Sequence, residues 1–285
     1  MHDPAHPRAQ EQVDRVTELL DQRKDRIDAS DVAVVIAHPD DETIGCGAQL
    51  ARWSGVSLVL VTDGAPVNLK DAQAAGFATA AEYAAARRRE LQDALAIAGL
   101  PRDALVTFDI SDQQVAHTLV DVTRRLMDLV QARGLSVLFT HAYEGGHPDH
   151  DATAFAVHAA ARLLARQGHP ITLVEMPYYQ AGDGDMARQR FTPAFAGEMF
   201  TVRLSPEQQA LKRRMMAAHR TQQAILAPFD VSAEFFRIAP PYDFSELPNQ
   251  GRLLYEQQDW GLNGREWLKL SRAALTELGL GSGPC

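Results

Sequence analysis

The sequence predicts an open α/β fold, a mostly parallel sheet with helices on both faces, and three observations carry that reading. Short apolar runs at 31–37 (DVAVVIA), 56–62 (VSLVLVT), 105–110 (LVTFDI), 136–140 (SVLFT) and 171–176 (ITLVEM) alternate with segments of helical periodicity. The first, second and fourth runs are nearly unbroken apolar stretches, as in strands buried on both faces. The segments between most of the runs are long enough to be crossover helices. The chain has 285 residues, 46% hydrophobic and 23% charged, which are ordinary globular values.

Taken in order, residues 1–30 are polar and form an N-terminal extension with a helix expected around 9–26. After the first strand, ETIGCGAQLARW (42–53) reads as helix. The second strand ends at Asp63-Gly64, and a loop of about fifteen residues follows. Thr79 and Glu82 form a T-x-x-E capping box for a long helix. That helix carries Tyr83, Leu91, Ala94, Leu95 and Ala98 at helical spacing and stops at Gly99-Leu100-Pro101. Residues 115–133 are amphipathic helix ended by Gly134, and Asp149 to Arg166 is helix again. The alternation fades after about 180. Residues 181–203 read as an irregular excursion with a strand near MFTVRL. Ser205 caps the next helix, with Pro206 at its first position and Gln208 completing the box. The main domain is therefore placed at 31–227, and residues 228–285, rich in Pro and aromatics, as an appended C-terminal segment packed on it.

Composition removes several function classes. A net charge of −9 leaves no basic footprint for nucleic acid. Cys46 and Cys285 lie far apart in sequence and make no disulfide framework, so a reducing compartment is expected. The N-terminus lacks the apolar core of a signal peptide, and no run approaches the ~20 apolar residues of a membrane span. A soluble cytoplasmic protein is expected, with oligomerisation of identical chains left open.

Two stretches carry chemistry. HPDDE (38–42) closes the first strand, and GGHPDHD (145–151) follows the fourth. In open α/β sheets, ligands bind beyond the carboxyl ends of the strands where strand order reverses, commonly between the first and fourth. The two stretches are therefore expected to meet. Together they offer His38, Asp40, Asp41, Glu42, His147, Asp149, His150 and Asp151, an oxygen and nitrogen donor set without a thiolate. Two His and one carboxylate with open positions describe a catalytic zinc or a non-haem iron site. Such a cation also explains why the carboxylates can crowd. Each motif alone has a plainer reading as a strand-to-helix turn, with Pro39 and Pro148 at first helical positions and acidic residues on the helix dipole. Two such motifs at the expected ends of two strands favour the metal.

AHPDDE (37–42) with GGHPDH (145–150) resembles the LmbE-like, or PIG-L, zinc deacetylases related to the N-acetylglucosaminyl-phosphatidylinositol de-N-acetylases. The similarity extends over roughly 31–225 and takes in TDG (62–64), RRREL (87–91) and KRRMMAAHRTQQ (212–223). It implies a Rossmann-like layer with one Zn2+ per chain, for which Fe2+, Co2+ or Ni2+ could substitute. It further implies His38, Asp41 and His150 as ligands, Asp40 as general base and His147 beside the substrate carbonyl. Asp149 could orient the ring of His147 or His150.

Other candidates carry two readings each. Arg87, three residues before Glu90, matches an arginine that reaches the sugar in relatives, or is one of three solvated arginines. Asp112, in ISDQQ, stands where relatives have Pro-Asp-Gly, a departure that puts its sugar-hydroxyl role in question. His219 either faces the site or is a satisfied structural histidine, and His141 either neighbours the ligands or is polar core. Glu42 reads as a capping charge. Tyr242, Trp260 and Trp267 either line a substrate wall or staple the C-terminal segment. The expected activity is removal of an N-acetyl group from an N-acetylglucosamine-type sugar or glycoconjugate. The alternatives are an amidase or deacetylase acting on a thiol-sugar conjugate or secondary-metabolite intermediate, and a non-catalytic metal-containing sugar-binding protein. A dinucleotide-binding dehydrogenase is disfavoured, because HPDDET stands where G-x-G-x-x-G would be.

Overall fold

The computed structural model describes residues 5–193, 197–258 and 260–281, with the side chains of 5–9 outside that description; Cys285 lies outside it as well. Helix α1 (Ala5–Leu19) leads into β1 (Ile27–Asp28), then β2 (Val32–Ile36), α2 (Asp41–Leu50), β3 (Trp53–Ser54) and β4 (Ser57–Thr62). A short helix α3 (Lys70–Ala74) interrupts the expected loop before α4 (Ala80–Ile97) and β5 (Leu105–Ile110). Next come α5 (Leu119–Arg133), β6 (Val137–His141), α6 (Pro148–Arg166) and β7 (Thr172–Met176). The chain continues through a hairpin, β8 (Tyr179–Ala181) and β9 (Met186–Arg188), to β10 (Met199–Arg203) and α7 (Pro206–Ala218). It closes with α8 (Gln223–Leu226), β11 (Ala233–Ile238) and α9 (Gly264–Glu277).

The central sheet has seven strands in the order β10-β11-β7-β6-β2-β4-β5. The five from β7 to β5 are parallel, as the alternating pattern predicts. Strand order reverses between β2 and β6, the first and fourth strands of the predicted set, and these two pair directly. Side chains divide by the period of two. Val32, Val34 and Ile36 enter one core with α2 and α7, while Ala33 and Val35 enter the other with α5, α6 and α9. Both predicted capping boxes form, at Thr79–Glu82 and Ser205–Gln208, and Pro148 takes the first turn of α6.

Three differences follow from tertiary packing. α1 ends at Leu19, short of the expected 26. Pro39 precedes the N-cap of α2, which is Asp40, so it is not a first helical residue. The segment after 227 supplies β11, which pairs antiparallel with β7 and with β10 and so extends the sheet itself. Ala-Glu-Phe-Phe-Arg-Ile lies beside Pro-rich sequence, which obscured it as a strand. Among the described residues no helix is long and apolar enough to cross a membrane.

Helix α2 is broken at Cys46 (φ −147°, ψ 25°). In a regular helix the Ala48 N–H would donate to the Ile44 carbonyl. Here Ala48 N–H donates to Glu234 Oε1 at 2.9 Å, and Lys212 Nζ donates to Ile44 O at 2.8 Å. Lys212 and Glu234 pair at 2.9 Å, 1% and 0% exposed. An ion pair from α7 and β11 thus spans the break in the helix that begins with Asp41. Removing one partner leaves a buried charge unmatched. Lys212→Met is therefore expected to cost about 3–5 kcal/mol, read by urea unfolding, and an unchanged midpoint would show that the break needs no bridging.

Candidate metal centre

The β2–β6 pairing brings the two motifs together at the carboxyl end of the sheet. His38 Nδ1 lies 3.2 Å from His150 Nε2. Asp41 Oδ1 is 3.3 Å from His150 Nε2, and Asp41 Oδ2 is 3.4 Å from His38 Nδ1. All three side chains are buried. A tetrahedral centre with bonds of about 2.0–2.1 Å has donor–donor edges of about 3.3–3.4 Å, so the donor set and spacing fit a divalent cation such as zinc. The second nitrogen of His38 faces carboxylates, with Nε2 at 3.1 Å from Asp112 Oδ1 and 3.5 Å from Asp149 Oδ2. A metal-ligating imidazole characteristically gives its other N–H to such a partner. His38, Asp112, His147 and Asp149 form a second group of close donors, and its contacts to His38 are those of that outer hydrogen-bonding partner.

Burial alone would lower the His38 imidazole, but Asp112, Asp149 and Asp41 hold it well above its usual value. Asp41 is depressed well below the carboxylate range, because His150 and His141 outweigh the opposing effect of burial. His38 and Asp41 thus each favour the charged form of the other. Asp112 moves down as well; burial opposes the shift, and His38 with His147 and Arg87 drives it. Burial raises Asp149 to about 6.

Asp40 sits beside this group at the N-cap of α2. Burial lifts its carboxyl to about 7, opposed by the Arg87 guanidinium. Arg87 is not solvated: it is 6% exposed, donating to Asp40 Oδ2 (3.0 Å), Pro39 O (2.8 Å) and Gly64 O (2.6 Å). His147 Nδ1 accepts the Asp149 backbone N–H at 3.1 Å, which leaves Nε2 to carry the proton. Burial, reinforced by His38, pushes His147 well below the usual imidazole value. The Asp149 carboxylate faces His38, rather than the rings of His147 or His150 as one sequence reading had it, and also accepts from Gln113 N and Val115 N. His141 Nε2 accepts the Ala37 N–H at 2.8 Å while its ring stacks on His150 at 4.0 Å. It therefore both ends β2 and supports His150.

Above these residues opens a pocket of about 410 Å³ lined by His38, Asp40, Asp41, Arg87, Asp112 and His147. Trp260 also lines it and packs on His147 at 4.7 Å. Tyr242 and Trp267 are instead buried in the core against α6 and α9. Sequence reasoning missed Tyr178, whose hydroxyl donates to Asp41 O at 3.1 Å, and Tyr179, which lines the pocket. It also missed Glu144, which fixes both tyrosine amides. The one available signal was Glu144 standing immediately before GGHPDH. Gly146 is required by close approach: a Cβ there would run into the Tyr179 carbonyl oxygen. Gly146→Ala should therefore cost about 1–3 kcal/mol or more and displace His147, and a crystal structure with unmoved Tyr179 would contradict this.

The sequence profile of the PIG-L family, described as GlcNAc-PI de-N-acetylase, matches residues 33–161. Among solved structures, the A40926 pseudoaglycone deacetylase Dbv21 is 19% identical, covering 74% of this chain and 97% of its own, with a TM-score of 0.57. The N,N'-diacetylchitobiose deacetylase from Pyrococcus horikoshii is 18% identical, covering 84% and 94%, with a TM-score of 0.56. A deacetylase of the teicoplanin biosynthetic pathway, solved with teicoplanin, is 17% identical, covering 73% and 96%, with a TM-score of 0.55. At these identities the likeness is one of fold. No curated protein matched the sequence. Residues 33–161, which contain both histidine–carboxylate motifs, are thus similar to the PIG-L (LmbE-like) family.

Proposed function

We propose that this protein is a zinc-dependent hydrolase that removes the acetyl group from an N-acetylglucosamine-type sugar or glycoconjugate. The observation that carries the reading is the convergence of His38 Nδ1, Asp41 and His150 Nε2 at 3.2–3.4 Å, with His38 and Asp41 lining the pocket beside Asp40. The family match and the structural likeness to known deacetylases support the same chemistry. His38, Asp41 and His150 would hold one Zn2+, with Fe2+, Co2+ or Ni2+ as substitutes. When bound, the metal supplies a Lewis acid for the amide carbonyl and acidifies water.

The side chains supply the rest. Asp40 takes the proton of the attacking water and returns it to the nitrogen of the departing amine. Arg87, bonded to Asp40 Oδ2, opposes the effect of burial on that carboxyl and leaves Oδ1 for the proton. His147 donates from Nε2 to the carbonyl oxygen as charge gathers there. Asp112 orients His38 through Nε2 and stands at the pocket wall, where a sugar hydroxyl can reach it.

A larger conjugate as substrate has an observation in its favour. The pocket lining includes the apolar residues Ala74, Ala75, Ala224, Ile225 and Phe229, interspersed with Asp71, Thr221 and Gln222. A group attached to the sugar would lie there.

The purified protein should contain about one zinc per chain, release acetate from an N-acetyl sugar panel, and lose and regain that activity with chelation and zinc. Asp41→Ala and His150→Ala should abolish metal binding. Asp40→Asn should retain the metal while kcat falls about 10²–10⁴-fold. Near-wild-type turnover in Asp40→Asn would remove Asp40 as the base, and absence of bound metal after zinc supply would remove the ligand set.

A further inference from the structure

We propose that His219, at the end of α7, is a positioning residue that holds Asp40 in its working conformation through Glu42. The inference rests on the reading of Asp40 as the general base and extends it to residues with no assigned role. Asp40 has φ 125° and ψ −26°, in the positive-φ range that L residues avoid. Such a backbone costs on the order of 1–3 kcal/mol and persists only where its surroundings over-determine it.

The surroundings do so from both ends of one peptide. On the carbonyl side, Arg87 donates to Pro39 O at 2.8 Å. On the amide side, Asp40 N–H donates to Glu42 Oε2 at 3.0 Å. Glu42 is itself fixed through its other oxygen, which accepts from Thr43 Oγ1 at 2.5 Å and from His219 Nε2 at 3.0 Å. Glu42 and His219 are 0% and 1% exposed, so water cannot replace either contact. The carboxylate oxygens only accept, so the His219 proton sits on Nε2. The His219 main chain is fixed in turn, with its N–H on Met216 O (3.2 Å) and its carbonyl accepting from Gln223 Nε2 (2.8 Å). The chain of contacts therefore runs from α8 through His219 and Glu42 to the strained amide of Asp40.

His219 is not needed merely to fasten α7 to α2, since Lys212 already joins them through Ile44 O. A structural role and a positioning role therefore separate experimentally. In the full-length, zinc-loaded enzyme, His219→Ala should lower kcat about 10–100-fold with KM and zinc content near wild type. His219→Gln places an N–H near the position of Nε2 and should recover most of the loss. Glu42→Gln has one acceptor oxygen and cannot serve both the Asp40 amide and His219, so it should fall like His219→Ala, and the double variant should fall no further. A crystal structure of His219→Ala should show Asp40 leaving φ 125° while His38, Asp41 and His150 stay in place; if that variant does not fold, Glu42→Gln carries both measurements. Wild-type kcat in His219→Ala, loss of zinc in parallel with kcat, or an unmoved Asp40 in the variant structure would each overturn the proposal. If the wild-type protein released acetate from no substrate, the deacetylase reading would fail on its own, and the Asp40 backbone in the variant structure would still decide the role of His219.

Discussion

β2 and β6 lie side by side and parallel, with Ala33 opposite Leu138 and Val34 opposite Phe139, and the chemistry of the molecule depends on that pairing. Each strand leads into one motif, so the register of the pair helps to set the separation of His38 from His150. His141 ties the two ends together by accepting the Ala37 amide beyond the last strand pair. The imidazoles and carboxylates gathered there are almost fully buried. Their mutual repulsion and desolvation are offset by pairing, since His38 faces Asp41, Asp112 and Asp149, His150 faces Asp41, and Arg87 faces Asp40.

A second layer of support comes from the last third of the described chain. α2 begins with Asp41 at the site and breaks five residues later, at Cys46. Lys212 and Glu234 bridge that break, while Tyr178 reaches the Asp41 carbonyl past Gly45, where any Cβ would meet Met176 and the Tyr178 hydroxyl. The site is thus held from in front by the motif residues and from behind by α7, β7 and β11. This arrangement explains how a helix with two internal glycines and a kink can present a carboxylate in a fixed place.

The parallel sheet, its switch point and the meeting of the motifs were legible because they follow from periodicity and from where HPDDE and GGHPDHD stand relative to apolar runs. The capping boxes were legible because they are local. What stayed hidden was set by distance in sequence. Nothing near Glu42 announces His219, and nothing near Ile44 announces Lys212. Arg87 read equally well as a solvated arginine, because a helix face shows its charge in sequence but not what it packs on. Strand β11 was obscured by its Pro-rich neighbourhood, and α3 is too short for a periodic signal.

Dependence of α2 on Lys212 and Glu234 also orders events in time. During synthesis both motifs leave the ribosome well before α7 and β11, so His38, Asp41 and His150 can meet while the helix bearing Asp41 still lacks its brace. Until α7 and β11 are made, the helix that presents Asp41 lacks the two contacts that span its break. The placement of Asp41 therefore depends on side chains that lie far downstream of it in sequence.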